Sequence, residues 1–198
     1  MVIERKRGEE LEVAILEAAD AIIKTEGYGS LTFQNIAKRA RTSRTVIYRR
    51  YETPLEILHA LVKYKSKQAF DGPMIDLLKD KGSLREDLIA VIELFQQLFR
   101  KIGLGVLDAM LFELRQGNEE SLLWLNKAQE SNVKVMEKVQ HFARQRGEIQ
   151  HEFSTIQMIL PFNILRIENL MNGRNLTREY IIQLVDEVLM PMYTKEPK

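Results

Sequence analysis

The sequence predicts an all-α protein. Nearly every segment places apolar residues at spacings of three and four, and no run alternates convincingly with a period of two. With 198 residues, 45% of them hydrophobic, the chain has ample length to bury a core. We expect about nine helices: three in a small N-terminal domain over residues 1–53, a connecting helix over 54–70, and the rest in a C-terminal domain over 71–198.

Three short helices are predicted in the N-terminal domain. The first is amphipathic and ends at Gly27, a residue suited to a helix C-terminus. Thr32 offers an N-cap for a second helix through Ala40, and Ser43 offers one for a third helix through about Tyr51. The apolar stripe of the first helix consists of Leu11, Ala14, Ile15, Ala18, Ala19, Ile22 and Ile23.

The fourth helix has a strong start signal at Thr53-Pro54-Leu55-Glu56. Threonine caps the helix, proline suits its first position, and glutamate completes a capping box. We expect this helix to end before Asp71-Gly72-Pro73, which is the best candidate for a domain boundary.

The C-terminal domain repeats these signals. A second capping box spans 83–86 and opens a helix that Gly103 and Gly105 are expected to interrupt, and a third box spans 154–157. Pro161 lies inside a helical pattern and predicts a kink. Gly147 closes the longest helix, and Asn172-Gly173 separates the last two. The further helices are expected over 106–116, 119–146, 154–172 and 177–193.

Basic residues are concentrated in the predicted second and third helices. Between Gly27 and Tyr51 there are six Lys and Arg residues and no acidic residue: Lys38, Arg39, Arg41, Arg44, Arg49 and Arg50. Lys and Arg that neutralise phosphates supply most non-specific affinity for DNA, and a helix pair with a polar, Arg-bearing second helix fits a major groove. Residues 1–70 carry a formal charge of +4, whereas 71–198 carry −3. The pattern favours a DNA-binding protein.

These segments resemble the TetR family of bacterial transcriptional regulators over about residues 9–62. The resemblance is carried by the glycine turn after the first helix, by Thr32, by Ile36-Ala37-Lys38-Arg39-Ala40, and by Tyr48-Arg49-Arg50-Tyr51. Arg146-Gly147-Glu148-Ile149 and the closing segment 177–193 are weaker echoes. The resemblance implies a dimeric repressor with a helix-turn-helix head and a helical, ligand-binding and dimerising body. Repression rather than activation rests on the habit of the family alone.

Two positions depart from the family pattern. Arg41 stands where glycine is usual after the second helix, and if that turn needs a positive φ, arginine costs about 1 kcal/mol more than glycine there. The alternatives are that the turn follows another backbone path, or that the cost is accepted for a phosphate contact. Pro54 replaces a lysine that binds phosphate in the family, so the backbone N–H groups of that turn, or Arg49, Arg50 and the tail Arg5, Lys6 and Arg7, are candidate substitutes.

The third helix is the predicted recognition helix. Its first turn, Ser43-Arg44-Thr45, is where side chains meet base edges in helix-turn-helix docking. Arg44 can bind guanine O6 and N7 or a phosphate, and the sequence does not decide between them. A solvated helix face is the alternative for Arg39, Arg49 and Arg50. The resemblance adds Thr32 and Tyr48 as phosphate contacts. The predicted DNA-binding residues are Thr32, Arg41, Thr42, Ser43, Arg44, Thr45, Tyr48 and Arg49.

The C-terminal domain contains large apolar side chains that suit a ligand cavity. A small apolar or aromatic effector is implied by the resemblance, and plain core packing is the alternative for each residue. Glu93, Glu113 and Arg166 are candidate polar groups of the same site. The candidate effector-binding residues are Phe95, Phe99, Met110, Trp124, Met136 and Phe162.

The last two helices, about 154–193, are the predicted dimer interface, because apolar residues cover more than one face of the first of them. Two-fold pairing would form a four-helix bundle and place two recognition helices roughly 34–36 Å apart, on a near-palindromic operator.

Other functional classes lack support in the sequence. There is no cysteine, and the three histidines lack the spacing of metal ligands, so we expect no cofactor and no catalytic site. No apolar run approaches the roughly 20 residues of a membrane span, and the charged N-terminus is unlike a secretory signal, so a cytoplasmic protein is expected. A helical protein-interaction module with an incidental basic patch and a helical enzyme remain the alternatives.

Overall fold

Helices form the architecture throughout the residues that the computed structural model describes, which are 8–70, 72–172 and 176–195. A 3-10 turn, Tyr28–Ser30, follows the first helix, and a π turn, Val185–Leu189, joins the last two segments into one rod. The all-α prediction is confirmed. In chain order the helices are α1 (Glu9–Glu26), α2 (Phe33–Ala40), α3 (Arg44–Tyr48), α4 (Pro54–Ala69), α5 (Met74–Leu77), α6 (Leu84–Ile102), α7 (Leu104–Arg115), α8 (Glu119–Gln145), α9 (Thr155–Asn172), α10 (Arg178–Leu184) and α11 (Met190–Thr194).

Side-chain caps start the helices where the sequence places them. The Thr32, Ser43 and Thr53 hydroxyls each accept a bond from the backbone N–H three residues later, at 3.2, 3.3 and 3.1 Å. Each cap satisfies one of the N–H groups that a helix start leaves without a partner. The starts of α2, α3 and α4, which form and support the basic region, are therefore fixed by local chemistry.

Two of the capping boxes, those of α9 and α4, differ in completeness. At the start of α9, Ser154 and Gln157 bond each other reciprocally, at 2.8 and 3.3 Å. At α4 the Glu56 carboxylate instead accepts the N–H of Glu52, at 2.7 Å, one residue before the cap.

Two predicted boundaries are wrong. The third helix ends at Tyr48 rather than near Tyr51, because the N–H groups of both Arg50 and Tyr51 bond the Ile47 carbonyl and the chain turns. Only Gly103, with φ 86°, ends α6, whereas Gly105 lies inside α7. A Cβ at Gly105 would lie 3.2 Å from Ile23 Cγ2, so this glycine permits close approach of α7 to α1.

The remaining predicted helix breaks are at Pro161, Asp71 and Gly173. The helix α9 continues through Pro161, and the kink expected there stays a prediction. Of the predicted breaks, Asp71 and Gly173 fall outside the described residues, and so do the tail residues Arg5, Lys6 and Arg7.

Two apolar clusters form the core. The first joins α1–α4 to the end of α6 and to α7, through Ile102, Val106, Ala109 and Met110. The second lies within α6, α8, α9 and the terminal rod and extends from Leu78 to Tyr193. We call α1–α3 the head and α5–α11 the body, with α4 as connector. Because the first cluster crosses from head to body, the end of α6 and α7 pack directly against the head. The domain boundary at residue 53 stays a prediction.

Every helix in the described ranges is too short or too polar to span a lipid bilayer.

Candidate nucleic-acid interface

The turn between α2 and α3 has a left-handed residue at its centre. Arg41 adopts φ 55° and ψ 48°, and the Thr42 N–H bonds the Ala37 carbonyl at 3.0 Å. The positive φ that the sequence left open is therefore present. A non-glycine residue in this conformation costs about 1–2 kcal/mol, because Cβ crowds the following carbonyl oxygen. This turn presents the Arg41 side chain to solvent.

The short helix α3 is anchored on one side and open on the other. Ile47 is fully buried in the head core, and the Tyr48 ring meets the Phe33 ring edge to face with centroids 4.5 Å apart. Tyr51, beyond the end of α3, is also buried. These anchors fix the orientation of a helix of five residues that is too short to be stable alone.

The predicted DNA-binding residues occupy the exposed side of the head. Tyr48 keeps 60% of its surface exposed although it contacts Phe33, and Thr42 is half-buried. The exposed members are Thr32, Arg41, Ser43, Arg44, Thr45, Tyr48 and Arg49. Their assignment to DNA contacts stays a prediction.

Tertiary contacts divide the five arginines of this basic region into two groups. Arg39 pairs with Glu26 at 2.9 Å, and Arg50 lies 3.3 Å from the Gly8 carbonyl and 3.9 Å from Glu12. In contrast, within the described ranges no acidic side chain lies at ion-pair distance from Arg41, Arg44 or Arg49. The sequence could not separate these groups, since the partners of Arg39 and Arg50 are distant in the chain.

The start of α4 is poorly suited to bind a phosphate. Pro54 has no N–H, the N–H of Glu56 is bonded to Thr53 at 3.1 Å, and the Glu56 carboxylate is folded over the turn. A phosphate at this place would meet a negative charge. The three arginines without acidic partners are therefore better placed to bind phosphate than the first turn of α4.

The candidate effector residues fall into different clusters. Phe95, Phe99, Met136 and Phe162 lie in the second cluster, with the Phe95 and Phe162 ring centroids 4.3 Å apart. Met110 lies in the first cluster. Trp124 packs against that first cluster and stacks on His59, with centroids 6.0 Å apart. The structure does not bring all six residues together, and their role as ligand contacts stays a prediction.

The polar candidates of the body have separate roles. Glu93 pairs with Arg178 at 3.2 Å on the surface. Arg166 is half-buried and donates to the Asn163 amide oxygen at 2.8 Å, and burial lowers the pKa of its guanidinium group.

Glu113 contributes to a cleft between head and body. It accepts a bond from the Tyr28 hydroxyl at 2.5 Å, and burial is the largest cause of the raised pKa of Tyr28. The cleft measures about 780 Å³, and none of the six effector candidates lines it. Its lining is Ile23, Gly27, Tyr28, Gly29, Leu31, Thr53, Pro54, Leu55, Gly105, Asp108, Ala109, Phe112 and Glu113.

Comparison with known proteins places the chain in a family. Residues 15–61 match the family model of bacterial regulatory proteins of the tetR family, and residues 78–188 match that of the tetracyclin repressor-like C-terminal domain. The chain belongs to the TetR family of bacterial regulatory proteins. The matched head contains the turn between α2 and α3, and the protein is a DNA-binding transcriptional regulator of this family.

Three known proteins illustrate the similarity. An uncharacterized HTH-type transcriptional regulator of Mycobacterium tuberculosis is 24% identical over 188 residues, which cover 93% of this chain and 88% of the relative. The FadR regulator of Bacillus subtilis, solved with stearoyl-CoA, has a TM-score of 0.69 at 23% identity and covers 92% of this chain and 97% of its own. AibR, solved with isovaleryl coenzyme A and operator DNA, has a TM-score of 0.62 at 21% identity and covers 93% of this chain and 99% of its own.

Proposed function

We propose that this TetR-family regulator is a cytoplasmic homodimeric repressor that leaves its operator when the body binds an acyl thioester of coenzyme A. DNA binding is supported mainly by the exposed turn between α2 and α3. Within the described residues, no acidic side chain lies at ion-pair distance from Arg41, Arg44 or Arg49. Such arginines are available for phosphates and guanine edges.

The dimer is supported by an exposed apolar face on α9. Ile156, Ile167 and Met171 are separated by eleven and four residues, so they lie on one side of the helix. Met158, Phe162 and Leu165 occupy the opposite side and are buried in the body. Met171 is 78% exposed, and an apolar face of this kind indicates a protein interface. A second copy is the partner we propose, with Val188 of the terminal rod completing the face.

The effector class is supported by two relatives of the same fold that were solved with acyl-CoA molecules. The chemistry of the body is compatible with such a ligand. Large aromatic side chains, including Phe95, Phe99 and Phe162, can adjoin an acyl chain, and the desolvated Arg166 would gain from an anionic or carbonyl oxygen partner.

The loss of operator affinity on addition of an acyl-CoA tests this proposal. An operator is first selected from a random duplex pool, and its affinity is measured by fluorescence anisotropy with stearoyl-CoA, isovaleryl-CoA, free coenzyme A or stearate. We expect one of the two acyl-CoA probes to weaken operator binding about tenfold or more, within the usual range of allosteric coupling, and coenzyme A and stearate to act much less. Unchanged affinity with both probes would overturn the proposed effector class.

A matched pair of variants tests whether Arg166 takes part in the response to acyl-CoA. Arg166→Gln is expected to reduce the response to acyl-CoA while leaving operator affinity without effector unchanged. Arg178→Gln, at an exposed arginine of α10 that pairs with Glu93, serves as the control and should respond like wild type. If both variants respond alike, Arg166 has no part in effector binding.

A further inference from the structure

Lys65 is a buried lysine at the junction of head and body. It lies on the connector α4, its exposed fraction is 6%, and lysines are almost never buried without a partner. Burial is the largest influence on the pKa of Lys65 and lowers it, whereas hydrogen bonding to Asp20 opposes this effect. Burial thus disfavours the charged ammonium group, and Asp20 favours it.

The partners of Lys65 belong to two other helices. Its Nζ donates to the carbonyl of Ile102, the last residue of α6, at 2.8 Å. The same Nζ lies 2.5 Å from Asp20 Oδ1 on α1. The final carbonyls of a helix lack intrahelical partners and carry partial negative charge, so an ammonium group is well matched to this position. One side chain of the connector thus joins a head helix to the end of a body helix.

The surroundings of this junction hold it in place. Asp20 Oδ2 also pairs with Lys24 at 2.6 Å, so the carboxylate bridges two lysines. Gly103, with φ 86°, turns the chain directly after Ile102, and a Cβ added there would lie 3.9 Å from the Lys65 Nζ. Apolar packing around α4 is not directional, whereas the hydrogen bond from Lys65 to the Ile102 carbonyl is directional, and the ion pair with Asp20 adds a buried attachment to a second helix.

We propose that Lys65 is a positioning residue, which sets the angle of the head on the body through Asp20 and the Ile102 carbonyl. In the dimer this angle fixes the separation of the two recognition helices, so the inference rests on the dimer proposed above. Buried ion pairs contribute little net stability after desolvation, and register is the better-attested reason to retain one. The three bonded groups come from α1, α4 and the end of α6, which are the elements that must move together if the body is to reposition the head.

The distance between the two heads tests this inference directly. Because the chain contains no cysteine, Gln34→Cys on the exposed surface of α2 gives one spin label per protomer. Double electron–electron resonance on the free dimer then reports one distance between heads. We expect a narrow distribution of distances in the otherwise wild-type protein. In Lys65→Met the distribution should be about twofold broader or displaced, because the head is then free to change its angle on the body.

Two further variants separate positioning from simple loss of stability. Lys65→Met leaves Asp20 paired with Lys24, and Asp20→Asn combined with Lys65→Met removes both charges, so at least one folded variant is expected. Lys67→Met, at an exposed lysine of the same helix, is the matched control. Circular dichroism establishes that each variant is folded at the temperature of measurement.

Operator spacing provides a readout that a purely structural role would not change. Wild type should prefer the selected operator about tenfold over versions with one base pair inserted or removed between the half-sites, since half-site spacing must match a rigid dimer. In Lys65→Met and the double variant this preference should fall to about twofold, while affinity for random DNA stays at the wild-type value, because the basic surface is intact.

The outcomes are distinguishable from failure of the dimer itself. If the otherwise wild-type protein gives no dipolar signal, the dimer is wrong. If it gives a narrow distance, and the folded Lys65→Met and double variants give the same distance and the same spacing preference as Lys67→Met, Lys65 does not position the head.

Discussion

Arg41 illustrates a conflict between backbone conformation and charge at a single residue. Its left-handed conformation favours glycine, yet its exposed guanidinium group lies beside α3. A phosphate contact would compensate in function for a cost in stability. Strained residues of this kind are found where a side chain has a functional role.

We expect Arg41→Gly to stabilise the folded protein by about 1 kcal/mol, because it removes the Cβ strain. The same change should weaken binding to all DNA sequences, since a cation near the phosphates is lost. Urea unfolding and anisotropy measure the two effects.

Arg49→Gly is the matched control, because Arg49 is also exposed but has a helical φ of −75°. It should destabilise the protein by about 0.5–1 kcal/mol, since glycine gains nothing in this conformation. If the two substitutions change the free energy of unfolding in the same direction, Arg41 is not strained.

At the scale of elements, Arg146 at the C-terminus of α8 ties two other segments together. Its guanidinium group bonds Asp87 Oδ2 at 2.7 Å, Glu148 at 2.5 Å, and also Asp80. Asp87 lies on α6 and is 2% exposed, and it also accepts the Lys81 N–H at 2.8 Å. This contact fixes the loop before α6 against the end of the longest helix.

Arg146→Ala is expected to lower the free energy of unfolding by about 3 kcal/mol, because a buried carboxylate is left without its cation. Arg144→Ala, on the same helix, removes an exposed pair with Glu152 of 3.2 Å and should cost no more than about 0.5 kcal/mol. Urea unfolding of both variants checks this. A similar loss for the two would show that Asp87 does not depend on Arg146.

The elements also show what could be predicted from the sequence. Caps such as Thr32, Ser43 and Ser154 were predicted and are confirmed, because a cap bonds a residue three positions away and is visible in the local sequence. The end of α3 and the place of Gly105 within α7 were predicted wrongly, since each depends on contacts in the folded chain. Those contacts are the burial of Tyr51 and the approach of α7 to Ile23.

The candidate sites show the same difference between features set by the local sequence and features set by tertiary contacts. The exposed surface of α3 follows from helical periodicity, whereas the pairing of Arg39 with Glu26 and of Lys65 with Asp20 depends on the tertiary fold. The six effector candidates lie in different clusters because composition identifies large apolar residues but not which helices they pack between.

For the whole molecule, we propose that the exposed apolar face of α9 forms the dimer interface. We expect Ile167→Glu, at a residue 60% exposed, to convert the proposed dimer to monomers, since a charge would be buried without a partner. Operator affinity should then fall towards that for random DNA. Sedimentation velocity measures the size.

Leu123→Glu, at another exposed apolar residue on α8, is the matched control and should remain dimeric. Dissociation by Leu123→Glu and not by Ile167→Glu would move the interface from α9 to the start of α8.

We propose that the exposed turn and helix around Arg44 read the DNA sequence. Competition of the selected operator against random duplex, measured for wild type, Arg44→Ala and Arg39→Ala at several salt concentrations, tests it most directly. Wild type should show a steep salt dependence and a strong preference for the operator, Arg44→Ala should lose about 1–3 kcal/mol of that preference, and Arg39→Ala should keep it, because Arg39 is paired with Glu26. Equal, weak binding of wild type to every duplex, or full discrimination by Arg44→Ala, would contradict the claim.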